Sequence, residues 1–257
     1  MTTGPFTMQG RTVLITGASS GLGHHFAGLL AEAGARVVLA ARRVDKLQQR
    51  VAELNDAGLA AACIEMDVRS AESIRQGFEL AAEAFGLPDV VINNAGMEPG
   101  VFSFFDLEES DWDAVIDTNL KGVWLVSREA SRRWIAAGRH GNLVNIASIL
   151  GFRQQKGVTP YAVSKAGVLQ LTKQMALEGA KYGIRANALA PGYFYSEVSR
   201  ALLDSEQFGQ FVKAIPQRRA GELSDYDGAL LLLASDASAH MTGQSIVVDG
   251  GHLVSTL

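Results

Sequence analysis

Thr16-Gly17-Ala18-Ser19-Ser20-Gly21-Leu22-Gly23 joins the apolar run Thr12–Thr16 to the helical pattern Leu22–Ala33. Glycines at such a junction let the backbone turn tightly and approach a pyrophosphate, and a helix N-terminus then presents free N–H groups and the positive end of its dipole. Ser19 and Ser20 add hydroxyl donors. The spacing is Gly-x3-Gly-x-Gly, one residue longer than the common dinucleotide fingerprint. Taken alone the stretch also reads as a plain tight turn. Its position after the first strand of a strand-helix-strand unit favours a nucleotide.

Outward from this loop the chain alternates. Strand candidates are Thr12–Thr16, Arg36–Ala40, Ala61–Glu65, Asp89–Asn93, Asn142–Ile146, Ile184–Leu189 and Ser245–Val248. Most are nearly continuous in Val, Ile, Leu and Ala, as strands covered on both faces are. Helical patterns lie between them, at Leu22–Ala33, Val44–Ala57, Ala71–Phe85, Asp111–Ala137, Tyr161–Tyr182 and Ser224–Ala234. This alternation predicts an α/β fold with a parallel, doubly wound sheet in one domain over residues 1–257. The segment 193–222 interrupts the rhythm. It reads either as a lid over a ligand or as surface helices whose aromatics fill a local core.

Composition narrows the function classes. The 257 residues are 47% hydrophobic and 19% charged with a net charge of -4, so no basic surplus points to nucleic acid or an anionic membrane. The single cysteine, Cys63, excludes an internal disulfide and reads as a small buried hydrophobe. No Cys/His cluster has metal-ligand spacing, so no metal is expected, and His24-His25 read as packing or surface residues. The first ten residues lack a secretory pattern, and the longest purely apolar run, Ala229–Ala234, is too short to span a bilayer. The expectation is a cytoplasmic protein.

The end of the second strand bears on the nucleotide. An acidic residue there would bond the ribose hydroxyls of NAD. The chain has Arg42-Arg43, and a guanidinium pairs with a phosphate and stacks on adenine. NADP(H) is therefore the expected cofactor, with NAD(H) as the alternative; the other reading of the two arginines is solvated charge opening the next helix. Further along, Tyr161 and Lys165 stand four apart in a helical pattern and share a face. A cation beside a phenol stabilises the phenolate and lowers a pKa that is ordinarily about 10, which suits a general acid or base. Ser148 follows the fifth strand, at the carboxyl edge where open α/β sheets bind ligands. Asn119 lies inside a helical pattern, where a polar residue needs a reason: it holds a water or is a satisfied buried amide.

Together these motifs resemble the short-chain dehydrogenase/reductase family in its form of about 250 residues, over residues 8 to 257. Thr16 to Gly23 looks like the cofactor loop, with Gly17, Ser19, Ser20, Gly21, Leu22 and Gly23 expected around the nucleotide. Asp67, with Val68 beside it, matches the residue at the adenine ring. Asn93-Asn94-Ala95-Gly96 matches the motif that braces the sheet and borders the cofactor. Asn119, Ser148, Tyr161 and Lys165 match the Asn-Ser-Tyr-Lys tetrad. Pro191-Gly192, followed by Phe194, matches the turn beside the nicotinamide, and Asp249-Gly250-Gly251 matches the end of the last strand. Ser196 stands where the family often has the threonine that binds the carboxamide.

The resemblance implies a Rossmann fold with seven parallel strands in the order 3-2-1-4-5-6-7. It implies a homotetramer or homodimer that moves a hydride between its cofactor and a ketone or secondary alcohol. In it Tyr161 transfers the proton and Ser148 orients the oxygen. Lys165 lowers the Tyr161 pKa and holds the ribose, and Asn119 binds a water linking Lys165 to solvent. Three readings of function stay open: a ketone or 3-oxoacyl reductase, a sugar or polyol dehydrogenase, and a cofactor-binding regulator without turnover. Gln154, Gln155 and the Tyr193–Tyr195 segment, with Ser148 and Tyr161, are the substrate-side candidates, and of the glutamines Gln154 is the one assigned to the site. Arg128, Arg132, Arg133 and Arg139 would dock an acyl carrier, or else are a solvated helix face.

Overall fold

Along β1 (Thr12–Thr16), Val13 and Ile15 enter one apolar layer while Leu14 enters the other. Along β2 (Arg36–Ala41) the same division puts Val37 and Leu39 on one face and Val38 and Ala40 on the other. The period of two is that of any strand; both sets are apolar because helices cover both faces. These relations come from a computed structural model, which describes residues 4–98, 100–195, 209 and 212–255.

The remaining strands are β3 (Ala61–Glu65), β4 (Val90–Asn93), β5 (Gly141–Ile146), β6 (Ile184–Pro191) and β7 (Ser245–Val248). All pair in parallel, in the order β3-β2-β1-β4-β5-β6-β7, as expected. The helices α1 (Gly21–Glu32), α2 (Val44–Asp56) and α7 (Asp227–Ala234) cover one face, with Phe26, Leu30, Leu47, Leu230 and Leu233 buried against it. On the other face lie α3 (Ala71–Phe85), α5 (Gly122–Ala136) and α6 (Thr159–Gly179), where Phe78, Val126 and Trp134 are buried. The indole of Trp134 donates to the Pro88 carbonyl at 2.6 Å, so its one polar atom is satisfied inside the core. Cys63 is only partly covered, because β3 is an edge strand.

One expected helix divides. The pattern Asp111–Ala137 becomes α4 (Glu109–Ile116), a π-helical turn (Asp117–Lys121) and α5. A π-turn inserts one residue into the ladder without changing the apolar pattern much, so periodicity does not reveal it. Asn119 sits in this turn and is fully buried. Half of the segment 193–222, including Ser196, Phe208 and Phe211, falls on residues outside those described; within the rest, Phe194 bridges to Gly221.

The turn after β1 is held from the neighbouring strand. The Thr16 hydroxyl accepts the N–H groups of Asn94 and Ala95, both at 3.1 Å, and the Asn94 amide donates to the carbonyls of Thr16 and Gly17 at 3.0 and 3.1 Å. Gly17 has φ +66°, and a Cβ there would lie 2.6 Å from the Ala95 Cα. Gly21 has φ +58° with open space around the same position. Gly17→Ala therefore meets both a left-handed backbone and a backbone clash, an expected loss of about 2–4 kcal/mol in urea unfolding, whereas Gly21→Ala meets only the first, about 1–2 kcal/mol. Equal losses would show that the contact between the β1 turn and Ala95 is not tight.

Candidate active site

A cavity of about 420 Å³ opens along the carboxyl edge of the sheet. At one end Gly17, Ser19, Ser20 and Leu22 line it with Arg42, Arg43, Asp67, Val68 and Arg69. At the other end are Ser148, Tyr161, Lys165, Pro191, Gly192 and Phe194, with Asn94, Ala95 and Gly96 between. Residues more than 170 positions apart thus share one cleft because the strand order places the ends of β1, β4, β5 and β6 side by side.

The phosphate-sized end is built from donors. Ser20 caps α1 without a side-chain bond to its N–H groups, which leaves the first turn of that helix uncapped from within. The Arg43 guanidinium donates to the hydroxyls of Ser19 and Ser20 at 2.9 and 3.2 Å, so Arg43 is drawn into the loop. Asp67 accepts from Arg69 through both oxygens, at 3.0 and 2.7 Å, and this cation holds its carboxyl below the ordinary range. Sequence reasoning missed Arg69; its signal was a third cation two residues beyond Asp67, at the end of β3.

The other end is built around a buried ammonium. Lys165 donates to the carbonyl of Ile146, the last residue of β5, at 2.8 Å, and lies 5.5 Å from the centre of the Tyr161 ring. Burial lowers its pKa from 10.5 to about 8, against a raising influence from Glu98. Ser148 faces the Tyr161 phenol closely enough to favour its ionised form, while its oxygen also accepts the Leu150 N–H at 3.1 Å. Even so, the phenol is pushed above its ordinary value, first by desolvation and then by the Glu98 charge. The net shift is thus upward, not the expected lowering, and the one influence that lowers it is the hydrogen bond from Ser148.

Asn119 resolves toward the satisfied amide. Its Oδ1 accepts the Met97 N–H and its Nδ2 donates to the Met97 carbonyl, both at 2.8 Å, and Nδ2 also reaches Ser164 Oγ at 3.3 Å. The side chain clamps the strand-end segment: both Nδ2 hydrogens are engaged, and Oδ1 has accepted one bond. Ser164 in turn donates to the Tyr161 carbonyl at 2.7 Å, which ties this clamp to the first turn of α6.

On the substrate side the glutamines exchange roles. Gln154 is exposed, and it is Gln155 that accepts a hydrogen bond from the Tyr193 hydroxyl. The two side chains alternate in direction along the loop, which sequence alone does not phase. Tyr193 and Tyr195 pack with Ala220 instead of lining the cleft, and Phe194 lines it. The expected basic patch is not free: Arg133 pairs with Glu129 at 2.6 Å, Arg139 with Asp89 at 2.5 Å, and Arg128 stacks over Trp124. Among the described residues, no group of three or more His, Cys, Asp or Glu could hold a metal, and no helix is long and apolar enough to cross a membrane.

Comparison with known proteins agrees with this geometry. Residues 17–252 match the family model described as Enoyl-(Acyl carrier protein) reductase. The chain belongs to the short-chain dehydrogenase/reductase family. It is 35% identical over 251 residues to gluconate 5-dehydrogenase of Gluconobacter oxydans, covering 97% of each chain. To the 3-oxoacyl-[acyl-carrier-protein] reductase FabG of Staphylococcus epidermidis it is 36% identical, covering 94% of this chain and 98% of the relative. Among solved structures of the family, a gluconate 5-dehydrogenase from Burkholderia cenocepacia in complex with NADP and tartrate superposes with a TM-score of 0.93 at 37% identity, covering 98% of each chain.

Burial of Lys165 has a thermodynamic consequence. Its pKa is lower in the folded than in the unfolded chain, so between about pH 8 and 10 the unfolded state binds more protons, and folding gains stability as pH rises through that window. Lys165→Met should melt no lower than the parent at pH 7 and should lose this rise, read from thermal melts at pH 7, 8, 9 and 10. A variant clearly less stable than the parent at pH 7 would mean that the ammonium is stabilising where it sits.

Proposed function

We propose that the protein reduces a ketone to a secondary alcohol with NADPH, reversibly, and that Tyr161 is the residue that transfers the proton. The observation that supports this most is convergence: Ser148, Tyr161 and Lys165 share one cavity with the Gly17–Leu22 loop and its arginines. A regulator without turnover would have no use for that set.

The cleft fits a dinucleotide. Gly17 packs so closely on Ala95 that a Cβ would close the turn, and Ser19, Ser20 and Arg43 offer donors for phosphate. Arg42, Arg43 and Arg69 line the end where the adenosine lies, and a 2′-phosphate there would be paired by guanidinium groups. Ala95, Gly96, Pro191, Gly192 and Phe194 would border the nicotinamide end. When bound, the reduced nicotinamide supplies the hydride.

The chain supplies the proton and the placement. The raised pKa keeps the Tyr161 phenol protonated, as a donor to a carbonyl oxygen must be. Ser148 holds that oxygen beside the phenol. Proton transfer leaves negative charge on Tyr161, and the Lys165 ammonium near its ring stabilises it. Asn119 contributes by fixing Met97 and the first turn of α6, so it positions the other three. We place the enzyme in the cytoplasm as a homotetramer or homodimer, in line with its family.

Tyr161→Phe removes the proton donor and keeps the ring. NADPH oxidation with a panel of ketones should fall at least about a hundredfold, with NADPH affinity by fluorescence titration within error of the parent; near-normal turnover would overturn the assignment. Replacing Arg42 or Arg43 with alanine should weaken NADPH binding roughly tenfold or more and NADH binding much less. Equal losses for the two cofactors would assign the arginines a structural role.

A further inference from the structure

One acidic side chain of the cleft is used neither by the dinucleotide nor by the proton transfer. Asp67 is neutralised by Arg69, but Glu98, an exposed residue, lines the same cavity as Tyr161 and Lys165 and has no ion pair within 4 Å among the described residues. It is held there. Both main-chain polar groups of Met97 are bonded to Asn119, so the next residue cannot drift far from the cleft. The segment also runs close over the ammonium: a Cβ on Gly96 would lie 3.8 Å from Lys165 Nζ. The Glu98 charge bears on Tyr161 and Lys165, which line the cavity where the carbonyl would react, and also on Tyr193 outside that lining.

Such a carboxylate filters what can lie next to that carbonyl. A hydrocarbon or acyl chain across it would remove water from a charge and give no hydrogen bond in return. A carboxylate would meet like charge in a partly dry cleft. A cationic group would meet Lys165. A hydroxyl satisfies the acceptor at no electrostatic cost. Arg153 does not line this cavity; it donates to the His252 carbonyl at 2.6 Å and acts on Tyr193 and His252.

We propose that Glu98 determines substrate specificity by accepting a hydrogen bond from a hydroxyl on the carbon next to the reacting carbonyl, so that the substrate is an uncharged hydroxyketone, the keto form of a sugar or polyol. This rests on the ketone-reductase reading and narrows it.

Three matched ketones test it: 1-hydroxy-2-butanone, 3-pentanone and 2-oxobutanoate, compared by kcat/KM with saturating NADPH. The parent enzyme should prefer the hydroxyketone to 3-pentanone by about tenfold or more, with 2-oxobutanoate the poorest. In Glu98→Ala the hydroxyl preference should collapse toward unity and 2-oxobutanoate should gain on both. Glu98→Gln should keep much of the hydroxyl preference, since its amide oxygen still accepts, while losing the discrimination against the keto acid; a merely structural role would not separate the two. NADPH titration shows that each variant is folded, and if one is not, the ratios of the parent enzyme decide. Equal kcat/KM for the first two ketones, or ratios unchanged in Glu98→Ala, overturn the assignment of Glu98 alone. Tight NADPH binding with no turnover of any ketone overturns the reductase reading and this inference with it.

Discussion

The bond from the Lys165 ammonium to the Ile146 carbonyl sets the geometry of everything around it. A buried cation needs an acceptor, and the end of a parallel strand has a main-chain carbonyl with no further strand residue to receive it. Joining the two places the ammonium of α6 at the end of β5. Tyr161, one helical turn before Lys165, and Ser148, two residues beyond Ile146, then face each other across the cleft. The site is a consequence of how one helix meets one strand end.

Around that bond the buried polar side chains connect elements that apolar packing would leave free to slide. Asn93 donates to Asn145 and Ser127, both at 2.8 Å, and Asn145 donates to Thr172 at 2.9 Å, joining β4, β5, α5 and α6. Thr16 and Asn94 join the β1 turn to the end of β4. Asn119 joins the π-turn to Met97. Each network is directional, so each fixes a register that hydrophobic contact specifies only loosely.

Those ends differ in electrical character. The end beside the β1 turn carries Arg42, Arg43 and Arg69, with one acid, Asp67, paired to the last. The other end places a phenol raised by desolvation beside an ammonium lowered by it, with Glu98 acting on both. Burial therefore moves the two in opposite directions from nearly equal ordinary values, the phenol up and the ammonium down, which keeps the proton on the phenol in this state.

Local chemistry was enough to read much of this protein in one dimension. The period-two apolar runs, the glycine turn before a helix and the Tyr-x3-Lys spacing are short-range patterns, since turns, strand faces and helical neighbours depend on residues only a few positions apart. From them came the doubly wound sheet, the cofactor loop and the pairing of Tyr161 with Lys165. What the tertiary structure alone decided are relations between distant segments: the π-turn that buries Asn119 against Met97, the choice of Gln155 over Gln154, the place of Arg69, and the carboxylate of Glu98 beside Tyr161. The direction of the Tyr161 shift belongs with these, because desolvation and the field of a neighbour depend on what the rest of the chain packs around a group. Periodicity along a sequence carries no record of that.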